Sequence, residues 1–206
     1  MSLCSAATYN CAVFWLERTC LANWRTELLS TLEGDVLELG AGTGVNLDYY
    51  RSQVRTLTLV EPDPFMRRRL VRKLKLRKLG PETKILDTAA EALTMDDAST
   101  DAVVATLVLC SVKNVLQVLE EARRVLRQNG KLVLIEHVAA AAGTSRRCWQ
   151  NCLEPAWTRL SGGCHLLRDP RSAIKASGFK PVRLMERELR GVPGFIKPAI
   201  LGTWTT

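Results

Sequence analysis

Val36-Leu-Glu-Leu-Gly-Ala-Gly-Thr-Gly44 is the segment from which the rest of this 206-residue sequence can be interpreted. Its first four residues are mostly apolar and predict a buried strand. Glycines then stand at every second position, and residues without a Cβ permit both a tight turn and the close approach of a ligand to the backbone. Residues 45–51 can begin a helix after the turn. Strand, glycine turn and helix together predict the first unit of a doubly wound α/β sheet.

The spacing of the glycines indicates which ligand the turn binds. A dinucleotide-binding turn has the pattern Gly-x-Gly-x-x-Gly, whereas here Gly44 comes one residue early and Val45 takes the expected place. Glu38 also stands two positions before Gly40. The resulting pattern Glu-x-Gly-x-Gly-x-Gly resembles the first motif of class I S-adenosylmethionine-dependent methyltransferases. A purely structural glycine loop and a different nucleotide ligand are the alternatives at this point.

A second predicted strand, residues 56–60, ends in Glu61 and is followed by Pro62. A carboxylate at this place can accept hydrogen bonds from both hydroxyl groups of a ribose, because it offers two oxygens and no donor. Dinucleotide-binding folds use a carboxylate in the same way. Glu61 therefore predicts a ligand that contains ribose without distinguishing the two classes.

The remaining chain alternates strand and helix patterns. Further strands are predicted at residues 84–86, 101–109, 131–135, 180–186 and 196–204. Helices are predicted at residues 8–31, 64–80, 115–126, 146–160 and 169–177. This alternation predicts a doubly wound, mostly parallel seven-stranded sheet with helices on both faces, a Rossmann-like α/β fold. Ligands of such sheets bind at the carboxyl ends of the strands, so we expect four segments to meet there: residues 38–44, Glu61, residues 87–93 and residues 106–112.

The length predicts a single domain. Within it we expect an N-terminal helical cap (residues 1–34), a cofactor-binding core (35–138) and an acceptor-side part with the last two strands (139–206). The seven cysteines include no Cys-x-x-Cys pair, which predicts reduced thiols in an intracellular compartment rather than disulfides or a metal site.

The net charge of +8 is concentrated in one run, since eight of the twelve residues at positions 67–78 are basic. Such a run is typical of a solvated helix face, but also of attraction to an anionic membrane surface or to RNA. It contains no aromatic residue that could stack on bases, which argues against a nucleic-acid partner. No segment approaches the roughly 20 apolar residues of a membrane-spanning helix, and no signal peptide is recognisable. We therefore expect a cytoplasmic or peripherally membrane-associated protein, with its oligomeric state open.

Later segments carry a more specific resemblance. Leu126-Arg-Gln-Asn-Gly-Lys-Leu-Val-Leu-Ile-Glu-His137 looks like the fifth-strand motif of class I methyltransferases. Thr106-Leu-Val-Leu-Cys-Ser-Val-Lys-Asn114, Glu136-His-Val138 and Trp149-Gln-x-x-Leu-Glu-Pro-x-Trp157, with Gly163-Cys164, resemble the methyltransferase-like family of membrane-associated thiol S-methyltransferases. The resemblance implies S-adenosylmethionine as cofactor and a small, largely apolar acceptor molecule, with a thiol as the first choice.

The same resemblance implies roles for individual residues. Glu38, Gly40 and Gly42 would line the methionine end of the cofactor, and Glu61 would bind its ribose. Ala90 and Glu91 would lie near the adenine, and Leu107 would border the methyl-transfer centre. Ala41, Gly44 and Pro62 complete the expected cofactor-binding residues.

The chemistry of a thiol acceptor makes a catalytic base helpful without making it essential. A thiol has a pKa near 8.5, so a few per cent is already ionised at pH 7. The two histidines, His137 and His165, are the candidate catalytic residues, and a packed structural histidine is the competing interpretation of each. Enzymes that methylate amino groups carry Asn/Asp-Pro-Pro-aromatic after the fourth strand, where this chain has Cys110-Ser-Val-Lys113. The alternative functions are C- or O-methylation of a quinone or lipid precursor, and a non-catalytic cofactor-binding partner subunit.

Overall fold

A computed structural model describes residues 20–77 and 80–206, and its seven strands form one sheet in the order β3-β2-β1-β4-β5-β7-β6. The strands are Gly34–Leu39 (β1), Val54–Val60 (β2), Glu82–Leu86 (β3), Thr100–Thr106 (β4), Leu126–His137 (β5), Lys180–Glu188 (β6) and Pro198–Thr205 (β7). Strands β1 to β5 are parallel, and β7 runs antiparallel to both β5 and β6. The predicted seven-stranded, mostly parallel sheet is confirmed. Its strand order reverses between β1 and β4, which is where ligands of this architecture bind.

Five α-helices cover the sheet in the described part of the chain: Ala22–Leu29 (α1), Pro64–Leu76 (α2), Val115–Val125 (α3), Ser145–Leu160 (α4) and Arg171–Ala176 (α5). Two separate cores result, because successive residues of a strand point to opposite faces. Trp24 of α1 and Leu70 of α2 belong to one core. Val118 of α3 and Ile174 of α5 belong to the other. Helices on both faces were expected, and the two cores confirm them.

Side-chain caps fix where two of these helices begin. Asp63 accepts hydrogen bonds from the N–H groups of Phe65 and Met66, and Pro64 occupies the first helical position, where its missing N–H costs nothing. Asn114 caps α3 through the N–H of Gln117. Both helices therefore start directly behind the carboxyl edge of the sheet and leave the preceding residues free to form the site.

Three local predictions are wrong. The helix expected at residues 45–51 is a single 3₁₀ turn, Val45–Asp48, and the buried side chain of Asn46 within it bonds to Glu38 and Thr106. The fourth strand ends at Thr106 rather than at residue 109, because Leu107 adopts a left-handed conformation with φ 57°. The fifth strand starts at Leu126, well before residue 131, because Leu126 already pairs with Thr100 ahead of a register shift.

The predicted N-terminal helix lies only partly in the described residues. Its positions Cys20, Trp24 and Leu28 recur at helical spacing and are buried in the core. The rest of that predicted helix, which includes Tyr9 and Trp15, lies outside the described residues. Within residues 20–77 and 80–206, no helix is long and apolar enough to cross a membrane.

Candidate active site

The glycine turn after β1 contains three glycines with positive φ, and they serve two different purposes. A Cβ on Gly40 would lie 2.6 Å from Val108 Cγ2, and a Cβ on Gly44 would lie 2.7 Å from Leu70 Cδ1. Close packing therefore excludes a side chain at these two positions. At Gly42 the nearest atom is the carbonyl oxygen of Gly40, at 3.9 Å. The missing side chain of Gly42 thus leaves open space that no part of the described chain fills.

Glu61 lies directly beside this open position. Its Oε2 accepts a hydrogen bond from the Gly42 N–H at 2.7 Å, and its Oε1 accepts one from the Asp63 N–H at 2.9 Å. Burial raises the pKa of the Glu61 carboxyl, and the two backbone donors offset part of that effect. Each carboxylate oxygen has two acceptor sites, so one on each oxygen is left for a hydroxyl donor.

Glu38 is enclosed behind the glycine turn. It accepts hydrogen bonds from Tyr50 Oη at 2.7 Å and from Asn46 Nδ2 at 3.0 Å, and only 2% of the residue is exposed. The Arg25 guanidinium donates to Asn46 and completes a buried polar network. Burial raises the pKa of Glu38 to about 7 despite these partners. Both oxygens of Glu38 therefore bond to protein groups that brace the turn.

The loop after β4 comprises residues 107–114 and is called the β4 loop below. It is held by a second enclosed carboxylate, which the sequence interpretation missed. Glu136 at the end of β5 accepts hydrogen bonds from the N–H groups of Val108 at 2.8 Å, Leu109 at 2.9 Å and Cys110 at 3.4 Å. Glu136 is completely buried, and burial raises its pKa to about 7. Because Val108 also packs on Gly40, Glu136 fixes the loop against the glycine turn.

Glu91 and Ala90 follow β3 and lie close to the same loop. The Glu91 Oε1 accepts a hydrogen bond from the Lys113 N–H at 2.8 Å, and Ala90 is buried. Three of the segments expected to meet do so, because the turn contacts Glu61 and the β4 loop. Glu91 of the β3 loop bonds to Lys113, one residue beyond the expected segment 106–112. Pro62 is exposed next to Glu61, and its carbonyl oxygen accepts a hydrogen bond from Arg67.

The segment after α4 closes the other side of the β4 loop. The His165 N–H donates to the Cys110 carbonyl at 2.9 Å, and Arg168 donates to the carbonyls of Leu109 and Val112. The imidazole Nδ1 of His165 lies 2.8 Å from Glu154 Oε1 on α4. His165 is therefore brought to the carboxyl edge of β4 with its ring held by a carboxylate.

His137 has a very different environment. Only 3% of it is exposed, and neither ring nitrogen forms a hydrogen bond of acceptable geometry with the described residues. Burial lowers the pKa of His137 to about 4, and the nearby backbone of Phe195 offsets only part of that effect. His137 is therefore a neutral, enclosed imidazole at the end of β5.

Known proteins resemble this chain in sequence and in fold. A methyltransferase domain family matches residues 37–134. Human thiol S-methyltransferase TMT1A is 34% identical over 191 residues, which cover 88% of this chain and 78% of TMT1A. Human thiol S-methyltransferase TMT1B is 35% identical over 190 residues, covering 86% of this chain and 76% of TMT1B.

The chain belongs to the thiol S-methyltransferase family. It is thus an S-adenosylmethionine-dependent methyltransferase, as the glycine spacing predicted. A solved geranyl diphosphate methyltransferase in complex with S-adenosylmethionine has the same fold, with a TM-score of 0.72 and 12% identity over 90% of this chain and 84% of that one.

The residues at the turn fit the cofactor of this methyltransferase family. The open position at Gly42 and the unused acceptor sites of Glu61 stand side by side, which suits a ribose that needs room and two acceptors. When bound, S-adenosylmethionine supplies an activated methyl group on a sulfonium sulfur. The roles of individual residues toward it stay predictions.

Sequence interpretation missed Glu136, Glu154 and Asn46 for different reasons. The sequence could have pointed to Glu136, because a charged residue in an otherwise apolar strand pattern is unusual and must find partners when it is buried. Glu154 stands within the quoted tryptophan-rich segment, but nothing in its spacing connects it with His165. Asp169, which follows that histidine more closely, bonds to Arg171 instead. Pairings between distant segments have no periodicity that a sequence could display.

Proposed function

We propose that this methyltransferase S-methylates a small, largely apolar thiol. One observation carries the proposal: the loop that follows the tryptophan-rich segment, and that includes Gly163-Cys164 of the same resemblance, contacts the β4 loop, where the His165 N–H donates to the Cys110 carbonyl. Relatives named thiol S-methyltransferases align over most of the chain, including this segment. The acceptor-side segment is therefore both the most family-specific part of the sequence and a neighbour of the cofactor turn.

The acceptor side offers an apolar wall. Trp157 of α4 meets Phe195 edge to face, with ring centroids 5.8 Å apart and planes at 84°. Such aromatic pairs favour an apolar ligand over a charged one. Cys164, which is partly buried and lies beside Trp157, adds a small polarisable surface. A soft sulfur acceptor with a short apolar substituent suits this lining.

Within this proposal the cofactor is held by the residues expected from the sequence. Glu61 accepts the ribose hydroxyls, and the backbone at Gly40, Ala41 and Gly42 approaches the methionine part. Gly44, Pro62, Ala90, Glu91 and Leu107 border the remaining surface. Glu38 acts from behind the turn, since Tyr50 and Asn46 occupy both of its oxygens.

A peripheral contact with anionic membranes is a further part of the proposal. Some basic residues of α2 form ion pairs with acidic residues elsewhere in the chain, such as Lys73 with Asp48 at 2.7 Å. Arg72 and Lys75 are exposed and form no ion pair with the described residues. Phe65 and Leu76 are exposed at the two ends of the same helix. Exposed basic and apolar side chains on one helix favour the surface of an anionic bilayer.

The deciding experiment is transfer of labelled methyl from S-adenosylmethionine to a short alkyl thiol, beside the Glu61→Ala variant. We expect transfer by the wild-type protein and its loss in the variant. Binding of the demethylated cofactor without any transfer to thiols would refute the thiol acceptor. Quinone and lipid precursors would then be assayed, and a protein that methylates none of them would match a non-catalytic partner subunit.

A further inference from the structure

Glu154 and His165 form an isolated carboxylate–imidazole pair at the acceptor side of the site. Glu154 Oε1 lies 2.8 Å from His165 Nδ1, and Glu154 Oε2 accepts the Leu166 N–H at 2.7 Å. The carboxylate is thus clamped at both oxygens, because α4 presents it to two consecutive residues of the following loop. Its side chain is 19% exposed, whereas that of His165 is 41% exposed. A fixed acceptor therefore orients a ring that is open on its other side.

The pair is joined to the cofactor turn through the β4 loop. The His165 N–H bonds to the Cys110 carbonyl, and Val108 in the same loop packs on Gly40 of the cofactor turn. Two residues of chain span at most about 7 Å, so the loop joins His165 to the turn over a short distance. Helix α4 and the β4 loop hold this arrangement from both sides.

The hydrogen bond to Glu154 determines which ring nitrogen is available. A carboxylate only accepts hydrogen bonds, so Nδ1 of neutral His165 carries the proton and Nε2 carries a lone pair. Among the described residues none bonds to Nε2. The ionisable groups around the pair are Cys110 on the β4 loop, Cys164 and Arg168 on the loop of His165, and His137 beyond Glu154. The enclosed His137 has no such oriented lone pair.

We propose that His165 is the catalytic base that deprotonates the acceptor thiol and that Glu154 is its positioning residue. The inference rests on the proposed thiol acceptor. The thiol S–H bond breaks, its electron pair stays on sulfur, and the proton forms a new bond to Nε2. The thiolate then forms the bond to the methyl carbon as the sulfonium C–S bond breaks, with that pair left on the cofactor's sulfur. The imidazolium finally returns its proton to water.

The kinetic test compares two acceptors of different acidity near pH 7 in the wild type and in His165→Gln. An alkyl thiol is mostly protonated and needs the base, whereas an acidic aryl thiol is already a thiolate. We expect His165→Gln to lower kcat for the alkyl thiol roughly 10- to 50-fold, with KM little changed, because only the few per cent that ionises by itself can then react. For the aryl thiol the loss stays within about threefold. At alkaline pH the alkyl thiol ionises by itself, so its loss shrinks as well.

Glu154→Gln tests the positioning role, with Glu120→Gln as the control. Glu120 is exposed on α3 and undergoes the same loss of charge. In Glu154→Gln the side chain has one acceptor oxygen for two donors. The Leu166 N–H is always a donor, whereas the imidazole can change tautomer, so we expect the oxygen to stay with Leu166. The glutamine NH₂ then faces Nδ1, which leaves the proton on Nε2. We expect a loss like that of His165→Gln, while Glu120→Gln behaves as wild type.

A spectroscopic readout is independent of turnover. The chain has two histidines, so ¹⁵N imidazole spectra are simple, and His165→Gln assigns the signals. We expect neutral His165 to carry its proton on Nδ1 in the wild type and on Nε2 in Glu154→Gln. A wild-type signal from the Nε2–H tautomer, or equal kinetic losses with both thiols, would overturn the inference. A wild-type protein that methylates neither thiol refutes the proposed function itself, which is a distinct outcome.

Discussion

At the scale of single residues, two carboxylates stand out because the fold removes both from water. Glu38 bonds to side-chain donors behind the glycine turn, and Glu136 bonds to three successive backbone N–H groups of the β4 loop. Burial raises the pKa of both to about 7. Such buried acids are costly to ionise, so their value lies in fixing two loops that meet at the site.

The stability of the cofactor-free protein should carry a pH signature of Glu136. Between pH 4.5, the ordinary pKa of the Glu136 carboxyl, and about pH 7, its pKa in the folded chain, the folded chain keeps a proton that the unfolded chain releases. Its stabilising contribution is therefore present at low pH and is lost as pH rises through about 7, by roughly 3 kcal/mol. Glu38 acts in the same direction. His137 acts oppositely, because its pKa falls from 6.5 to about 4.

Urea unfolding of wild type and Glu136→Gln at about pH 5 and about pH 8 isolates this contribution. We expect the advantage of the wild type over the variant to shrink at the higher pH. The variant should also be less stable by about 1–3 kcal/mol at the lower pH, since an amide NH₂ opposes a backbone donor. An advantage that is constant with pH would show that Glu136 is ionised throughout.

Glu61→Ala should weaken cofactor binding. The lost charge-assisted hydrogen bonds correspond to roughly 1.5–3 kcal/mol, or about 10- to 150-fold in Kd. Calorimetry with the demethylated cofactor measures this, with Glu82→Ala as control, because Glu82 is an exposed residue of β3. Unchanged affinity in Glu61→Ala would remove Glu61 from the ribose role.

At the scale of elements, the glycine turn combines a packing requirement with a ligand requirement. Gly44 is pressed against Leu70 and Leu47, both buried, whereas Gly42 faces open space. The left-handed backbone is shared by both, so the difference between the two positions lies in what surrounds the missing Cβ.

Gly42→Ala and Gly44→Ala should therefore fail in different ways. Both substitutions lower the folding stability by about 1–2 kcal/mol because the backbone is left-handed. Only Gly44→Ala adds about 1–3 kcal/mol of destabilisation by overpacking. We expect Gly42→Ala to stay folded with cofactor affinity reduced about tenfold or more, and Gly44→Ala to lose mainly stability. Thermal unfolding and calorimetry on both variants separate these outcomes. Wild-type affinity in Gly42→Ala would place the cofactor elsewhere.

At the scale of the whole molecule, the net charge of +8 is distributed unevenly. Part of the basic run on α2 is neutralised by Asp48 and Asp87, whereas Arg72 and Lys75 extend into solvent. The sheet order places α2 next to the glycine turn, since the helix follows β2 directly. A membrane bound by α2 would consequently lie beside the cofactor end of the site.

Arg72→Glu/Lys75→Glu should weaken binding to anionic vesicles and leave binding to neutral vesicles unchanged. Each basic residue near such a surface contributes about 1 kcal/mol, and salt screens the attraction. Co-sedimentation with phosphatidylserine vesicles at low and high salt measures this. Lys180→Glu, a single charge reversal on exposed β6, serves as the control. Equal binding by wild type and double variant would exclude this helix as the contact.

The sequence alone was sufficient for the fold class and the cofactor. These depend on local patterns, such as the glycine spacing and the position of Glu61, which a few neighbouring residues encode. Local patterns did not predict the 3₁₀ turn after Gly44 or the early end of β4, because buried contacts of Asn46 and the left-handed Leu107 override propensity there. The pairing of Glu154 with His165 and the grip of Glu136 on the β4 loop required the tertiary structure. Glu154 lies on α4 and His165 on the loop that follows it, whereas Glu136 lies on β5 and its donors lie on the β4 loop. Only the packing of these elements against one another brings the partners within hydrogen-bond distance.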